Sequence, residues 1–430
     1  EGLTANYKGS DFIGKNGIEA SYERELHGTT GTARVEIDAG GRGIRTLSST
    51  APVAGNNLVL TLDIKLQEIA EQAFGNFRGA LVAIEPATGG VLAFVSRPGY
   101  DPNLFVDGID SASWQELNES PDKPLLNRPL RGAYPPGSTI KPFLALGALA
   151  SGKRTPTQTF ADPGYFQLAG AAHRFRDDKK GGHGMVDMTK AIVVSCDTYF
   201  YLLANETDID DSWRFMSSLG FGHPTGIDIE GELPGVLPSR EWKRQRFAGA
   251  QYREAHRKWY LGDSISAGIG QGYTAFTPIQ LAHATATIAN DGVAFRPHLV
   301  QRIEDVRTGE SRVIEREPAY RLAVKPEHLA VIRNALVQVN KEGTSAAAFR
   351  DASYVSGGKT GTAQVFSLKG EEYKAHRVDE RLRDHAWYIA YAPADRPSIA
   401  LAVLVENGGF GAQAAAPIAR QVLDYYLLGL

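Results

Sequence analysis

The chain has 430 residues, 43% of them hydrophobic and 22% charged, with a formal net charge of -3; this is an ordinary composition for two or three globular domains, or for one large catalytic domain with an appendage. Near-neutral charge without a long Lys/Arg run excludes a surface that holds nucleic acid by bulk phosphate attraction, and no stretch reaches the ~20 apolar residues that span a bilayer. The first residue is Glu1 rather than Met, so a processed chain that has lost a membrane segment is expected.

Residues 1–60 are rich in Gly, Thr, Glu and Arg, with short alternating pieces such as Ala33-Arg34-Val35-Glu36-Ile37 and breaks at Gly40, Gly41 and Gly43. That texture predicts small strands and turns without a deep core. From Asn57 it changes. Residues 58–62 form a strand-like run, and Asp63 is placed to cap a helix with Leu66, Ile69, Ala70 and Ala73 on one face. The main boundary is expected here, dividing the chain into 1–60 and 61–430. Two apolar runs, 80–84 and 91–95, flank Glu85-Pro86-Ala87-Thr88-Gly89-Gly90 and predict a hairpin. Residues 387–391 and 399–405 flank Ala392-Pro393-Ala394-Asp395-Arg396-Pro397 in the same way, and 416–428 carry Ile418, Val422, Tyr425 and Tyr426 at helical spacing. Between these β-rich ends the pattern is helices and loops. Strands at both ends predict one sheet assembled from distant parts of the chain, an α+β arrangement.

The segment richest in chemistry is Tyr134-Pro135-Pro136-Gly137-Ser138-Thr139-Ile140-Lys141-Pro142. A helix starting near Ser138 sets Ser138 and Lys141 one turn apart on one face. A serine hydroxyl is too weakly acidic to attack a carbonyl unaided, and a desolvated lysine can act as its base. Pro142 cannot donate to the Ser138 carbonyl, so the first turn should be irregular. A Ser-x-x-Lys match arises by chance about once in a chain of this length, and the plain alternative is a capped, solvated helix start. Two further segments add weight. Gly357-Gly358-Lys359-Thr360-Gly361-Thr362, followed by a strand-like 363–366, offers a lysine and two threonines to an anionic carboxylate. Ser195-Cys196-Asp197 follows an apolar helical run and supplies a second hydroxyl able to relay a proton.

In this order the three segments resemble the signature of the serine acyl-transferases that react with penicillin: Ser-x-x-Lys, then Ser-x-Asn or a variant, then Lys-Thr/Ser-Gly. Asp101-Pro102-Asn103, Gly268-Ile269-Gly270-Gln271-Gly272-Tyr273 and 359–366 narrow the likeness to class B penicillin-binding proteins. Ile13-Gly14-Lys15-Asn16-Gly17-Ile18-Glu19 and Leu26-His27-Gly28 resemble the membrane-distal pedestal of that class. Residues 100–108, Arg381-Leu382-Arg383-Asp384-His385 and Glu406-Asn407-Gly408-Gly409 resemble its elongation-type branch, the penicillin-binding protein 2 family.

The resemblance implies a penicillin-binding transpeptidase fold: a five-stranded antiparallel sheet flanked by helices, a helical subdomain and a small β-rich N-terminal pedestal. It implies a D,D-transpeptidase that crosslinks stem peptides ending in D-Ala-D-Ala and is acylated by β-lactams. Ser138 would be the nucleophile and Lys141 the base. Ser195 and Asp197 would line the proton path, and Lys359, Thr360, Gly361 and Thr362 would hold the substrate. Backbone N–H groups of Ser138 and Thr362 would form the oxyanion hole. No cofactor is implied for catalysis. Asp197 departs from the Asn common in the superfamily, and an anion there favours the charged form of either lysine, against the free amine that a base requires. Implied partners are a membrane glycosyltransferase and the scaffold of the elongation complex, at the periplasmic face of a bacterial inner membrane. A serine β-lactamase or D,D-carboxypeptidase, and a penicillin-sensing domain, are the competing readings.

Cys196 is the sole cysteine. Upstream lie Asp162, His173, Asp177, Asp178 and His183 in a stretch without apolar period, a loop that needs something to hold it. Thiolate, imidazole and two carboxylates would fill a closed tetrahedral Zn²⁺ site of the structural kind; the alternative is a buried thiol with solvated loop acids. The set Asp162, Asp177, His183 and Cys196 also resembles the zinc site of some elongation-type members. Residues 243–258 contain six cations (Lys243, Arg244, Arg246, Arg253, Arg257 and Lys258) and read as a solvated loop rather than a glycan-binding patch. Gly268, Gly270 and Gly272 have no following lysine as in a P-loop and predict close backbone packing near the active-site floor.

Overall fold

The structure, a computed structural model, describes residues 12–365 and 378–430. Near its start, β1 (Thr32–Ile37) and β2 (Gly43–Thr50) pair antiparallel with two register shifts. Every residue of β2 is exposed, so the ladder and the turn hold this hairpin, and no core does. Asp63 caps α1 (Ile64–Ala73), its carboxylate accepting from the N–H groups of Lys65 at 3.0 Å and Leu66 at 3.1 Å. The strand expected over 58–62 is Asn57–Leu60, and it pairs with Val300–Glu304 in a small sheet apart from the main one.

The main sheet contains β3 (Gly79–Ile84), β4 (Val91–Arg97), β5 (Gly357–Ala363), β6 (His385–Ala392) and β7 (Ile399–Val405) in the order β5-β6-β7-β3-β4, antiparallel throughout. It joins the two predicted hairpins, with β5 added at one edge. The strand expected to continue past residue 363 ends at Ala363, and Phe366 lies outside the described residues. All seven residues of β7 are buried because both of its faces are covered. Leu401, Val403 and Val405 pack with Leu66 of α1 and with Ile418 and Val422 of the C-terminal helix Ala415–Leu428. Ala400, Ala402 and Leu404 point into the helical layer instead.

That layer begins with α2 (Lys141–Ala150), α3 (Met188–Val193) and α4 (Asp197–Glu206). Its centre is α5 (Pro278–Ala289), whose twelve residues are all buried. The Thr277 hydroxyl and the Gln280 side chain cap this helix reciprocally, and Thr285 and Thr287 return their hydroxyls to carbonyls one turn back. A helix buried on every side thus keeps its hydroxyl and amide side chains paired, as a dry interior requires. The final element of the layer used below is α6 (Pro326–Lys341). The region between the hairpins also holds the short ladders Phe160–Asp162 with Gly184–Val186 and Tyr165–Gln167 with Arg174–Arg176; three-residue strands are too short to show a period in sequence. Among the described residues no helix is long and apolar enough to cross a membrane.

Candidate active site

The expected α-helical start at Ser138 is a 3₁₀ turn, Gly137–Ile140, and α2 proper begins at Lys141. Its cause is the missing N–H of Pro142; the carbonyl of Ser138 takes its bond from the Lys141 N–H instead. Gly137 has φ +54° and donates to the carbonyl of Gly270 at 3.0 Å. A Cβ on Gly137 would lie 2.4 Å from the Thr362 carbonyl oxygen, and one on Gly270 would lie 2.3 Å from the Gly137 oxygen. Three segments therefore meet backbone to backbone: the turn bearing Ser138, the glycine loop at 268–272 and β5. Gln271 Nε2 also donates to the Thr362 carbonyl at 3.1 Å, and Trp387 Nε1 donates to that of Pro135 at 3.0 Å. Ser138 is half-buried in this corner.

Ser195 reaches the same corner from the end of α3. The Ser195 N–H donates to the Ile192 carbonyl at 3.3 Å and the Cys196 N–H to that of Ala191 at 2.9 Å, the two bonds of a Schellman turn. Such a turn needs a left-handed residue, normally glycine, and here Ser195 holds φ +61°. The strained position aims a hydroxyl between two lysines. Lys141 Nζ lies 3.3 Å from Ser195 Oγ and donates to the Ser195 carbonyl and to Asp197 Oδ1, both at 2.6 Å. Lys359 Nζ donates to Ser195 Oγ at 2.9 Å and to the Thr360 carbonyl at 3.0 Å.

Both lysines are fully buried. Burial holds Lys359 well below the usual lysine range and the neighbouring Lys141 adds to that, while Asp197 opposes it. Burial pushes the Asp197 carboxyl up against the attraction of Lys141. Thr360 meets the Thr344 hydroxyl at 2.7 Å, and Thr362 is half-buried on β5, the edge strand of the sheet. An edge strand presents unpaired backbone groups to an extended peptide. The eight expected catalytic and substrate-holding residues thus lie on three elements packed together: Ser138 and Lys141, Ser195 and Asp197, and Lys359, Thr360, Gly361 and Thr362.

The four expected metal ligands also converge. One donor atom from each of Asp162, Asp177, His183 and Cys196 lies within 4.8 Å of all the others. Cys196 Sγ is 3.4 Å from a carboxylate oxygen of each aspartate, and His183 Nδ1 is 2.9 Å from Asp162 and 3.3 Å from Asp177. Ligands on a tetrahedral zinc with bonds of about 2.0 to 2.3 Å are separated by about 3.3 to 3.6 Å, so these four separations are close to the edges of that cage. Burial works against charge on Asp162, yet N–H groups of Gly164 and His183, both at 2.7 Å, hold its carboxyl down to about 2. Burial and the two carboxylates push the Cys196 thiol up. His173 and Asp178 are exposed and outside the set; the His173 ring packs edge-on against Phe175.

Two features were not anticipated. Arg128, 1% exposed, holds Glu406 through Nε at 2.9 Å and Nη2 at 3.1 Å, and Tyr134 donates to the same carboxylate. This network anchors the start of the loop that carries Ser138, and with Arg128 and Glu406 separated by 278 positions no local spacing announces it. The solvated reading of 243–258 fails at Lys243, which is 3% exposed and pairs with Asp263 at 2.6 Å. Its ammonium lies over the rings of Trp259, Tyr260 and Tyr273, 5.1 to 5.6 Å from their centroids. The aromatics beside that run were the available signal.

A family model described as the penicillin binding protein transpeptidase domain matches residues 79–424, and one described as the penicillin-binding protein dimerisation domain matches 1–60. The chain is 43% identical over 432 residues to the peptidoglycan D,D-transpeptidase MrdA of Escherichia coli (strain K12), covering 100% of this chain and 67% of that protein. It thus spans about two thirds of that curated relative. Among solved structures, Pseudomonas aeruginosa PBP2 in complex with WCK 5153 is 43% identical with a TM-score of 0.83, over 98% of this chain and 84% of that one. The complex between PBP2 and MreC from Helicobacter pylori gives 32% identity and a TM-score of 0.82, over 97% and 72%.

Proposed function

The chain belongs to the penicillin-binding protein transpeptidase family, and we propose that it is a peptidoglycan D,D-transpeptidase of the elongation type, working through an acyl-enzyme on Ser138 and acylated by β-lactams at the same atom. The observation that carries this reading is the convergence of two buried lysine side chains on one hydroxyl, Ser195 Oγ, at 3.3 and 2.9 Å, beside the turn that bears Ser138. Lys141, as the free amine, takes the Ser138 proton while Ser138 Oγ bonds to the carbonyl carbon of the penultimate D-Ala. The N–H groups of Ser138 and Thr362 hold the oxyanion. The tetrahedral adduct collapses by breaking the peptide C–N bond, and a proton passes through Ser195 to the departing amine of the terminal D-Ala. An amine from a neighbouring stem then attacks the ester, its proton returns by the same path, and Ser138 is restored. Thr360, Thr362 and Lys359 receive the substrate carboxylate, with Gly361 allowing close approach.

Asp197 belongs to the proton path as the partner of Lys141. The Asp197 carboxyl, pushed up by burial, lies 2.6 Å from Lys141 Nζ. Residues 1–60 form the pedestal and 61–430 the catalytic domain. Structural zinc held by Asp162, Asp177, His183 and Cys196 is part of the proposal, supported by the donor chemistry and the cage dimensions; the ion braces the loop behind Ser195 and takes no part in acyl transfer. A scaffold partner is supported by the likeness to a PBP2 described in complex with MreC. A membrane glycosyltransferase partner, and action at the periplasmic face of the inner membrane, rest on family membership.

Labelling with a fluorescent penicillin tests the reading. One label per chain is expected, lost in Ser138→Ala and released slowly from the wild type. Rapid release would favour a β-lactamase; slow release without crosslinking of lipid-linked glycan strands would favour a sensor.

A further inference from the structure

The helices that carry the catalytic cluster have a second side. Between α2, α4 and the stretch 207–218 lies a cavity of about 950 Å³, in the size range of small-molecule sites, roughly 300 to 1,000 Å³. None of the eight catalytic and substrate-holding residues lines it. Its walls are mainly apolar and include Leu144, Phe200, Leu203, Trp213, Phe215 and Leu237.

An observation beyond its shape points to a ligand. The charged lining residues are unbalanced: Lys153, Arg214 and Arg321 stand against Asp211. Arg214 is paired with Asp211 at 2.6 Å, and Lys153 donates to the Glu206 carbonyl at 3.2 Å. Arg321 is exposed and has no acidic partner among the described residues. Apolar walls and one unpaired guanidinium at the surface together describe the complement of an amphipathic anion.

We propose that this cavity is a second ligand site, separate from the acylation site, that binds a small amphipathic anion. The apolar body packs against Leu144 and Trp213, which are only partly buried, and its acid pairs with Arg321. The site does not depend on the transpeptidase reading, because it uses none of the residues assigned to acyl transfer.

The probe for the test is anilinonaphthalene sulfonate, an aromatic amine bearing one sulfonate, titrated by its fluorescence against the intact chain. One saturable site per chain is expected. Leu144→Trp, which fills the cavity, should weaken binding at least tenfold. Arg321→Gln should weaken it about fivefold. Arg321→Gln is a surface change, so it decides the matter even where Leu144→Trp fails to fold. Phenylnaphthylamine, which has the same rings without the sulfonate, should bind less tightly to the wild type and respond to Leu144→Trp but not to Arg321→Gln. Acylating Ser138 with penicillin beforehand should leave the affinity for the sulfonate unchanged. Binding that never saturates, equal affinity in wild type and Arg321→Gln, equal affinity for the uncharged probe, or displacement by penicillin would each overturn the proposal.

Discussion

Ser195, Cys196 and Asp197 are consecutive, yet they serve two opposite chemical settings. On one side Ser195 and Asp197 meet Lys141 and Lys359, so two buried lysines face one carboxylate. On the other side Cys196 lies between Asp162 and Asp177, with His183 completing a set that has two buried carboxylates and no lysine or arginine. The first cluster has an excess of donors and is suited to an anionic peptide terminus. The second has an excess of acceptors and is suited to a cation. Burial makes each imbalance costly until it is met, so one three-residue turn sets two complementary demands back to back.

That contrast predicts a double dissociation. Lys141→Ala should slow acylation by fluorescent penicillin about 10³-fold, the scale of a lost general base, while zinc content measured on chelator-free protein stays at one ion per chain. Cys196→Ser should do the reverse: the metal is lost and stability falls by about 3 kcal/mol, measured by denaturant unfolding, while acylation of the folded fraction changes less than tenfold. If wild-type protein carries no zinc, or if Cys196→Ser unfolds at the wild-type midpoint, the acceptor cluster is a set of loop acids and nothing more.

A smaller effect separates the two sides by pH. Burial and Lys141 hold Lys359 well below its ordinary value near 10.4. As the pH falls through that ordinary value, the unfolded chain takes up a proton that the folded chain refuses. Wild-type stability therefore declines from about pH 10.4 down to the depressed value and is flat below it. Lys359→Met lacks this proton. Its stability relative to wild type should rise as the pH is lowered from 10.5 toward 8, and a difference that stays constant across that window would mean that Lys359 is not held down.

The motifs of the catalytic cluster were legible because each is local, whereas the Asp162, Asp177, His183 and Cys196 set is spread over 34 positions and came from the family resemblance. Ser138 and Lys141 share one turn, and Lys359 to Thr362 lie on one strand. The two hairpins were legible from uninterrupted apolar runs, as expected where β7 is covered on both faces. What no sequence pattern gave was the order of the strands, the pairing of Arg128 with Glu406, or the aromatic enclosure of Lys243, all of which depend on contacts between distant segments. The turn at Ser195 was hidden for a different reason. A left-handed helix end is normally announced by glycine, and here the position is occupied by a serine that the chemistry requires.

That substitution gives the finest test of the comparison, because the turn joins the two clusters. At φ +61° a side chain costs about 1 kcal/mol relative to glycine. Ser195→Gly and Ser195→Ala both remove the hydroxyl between Lys141 and Lys359, so they should slow acylation by the same factor. They should differ in stability: the glycine variant is expected to be more stable than the alanine variant by about 1 kcal/mol in denaturant unfolding, with zinc retained in both. Equal stability would mean that the turn relaxes out of the left-handed region when the hydroxyl is gone. The two lysines, and not the Schellman turn, would then be what holds Ser195 in place.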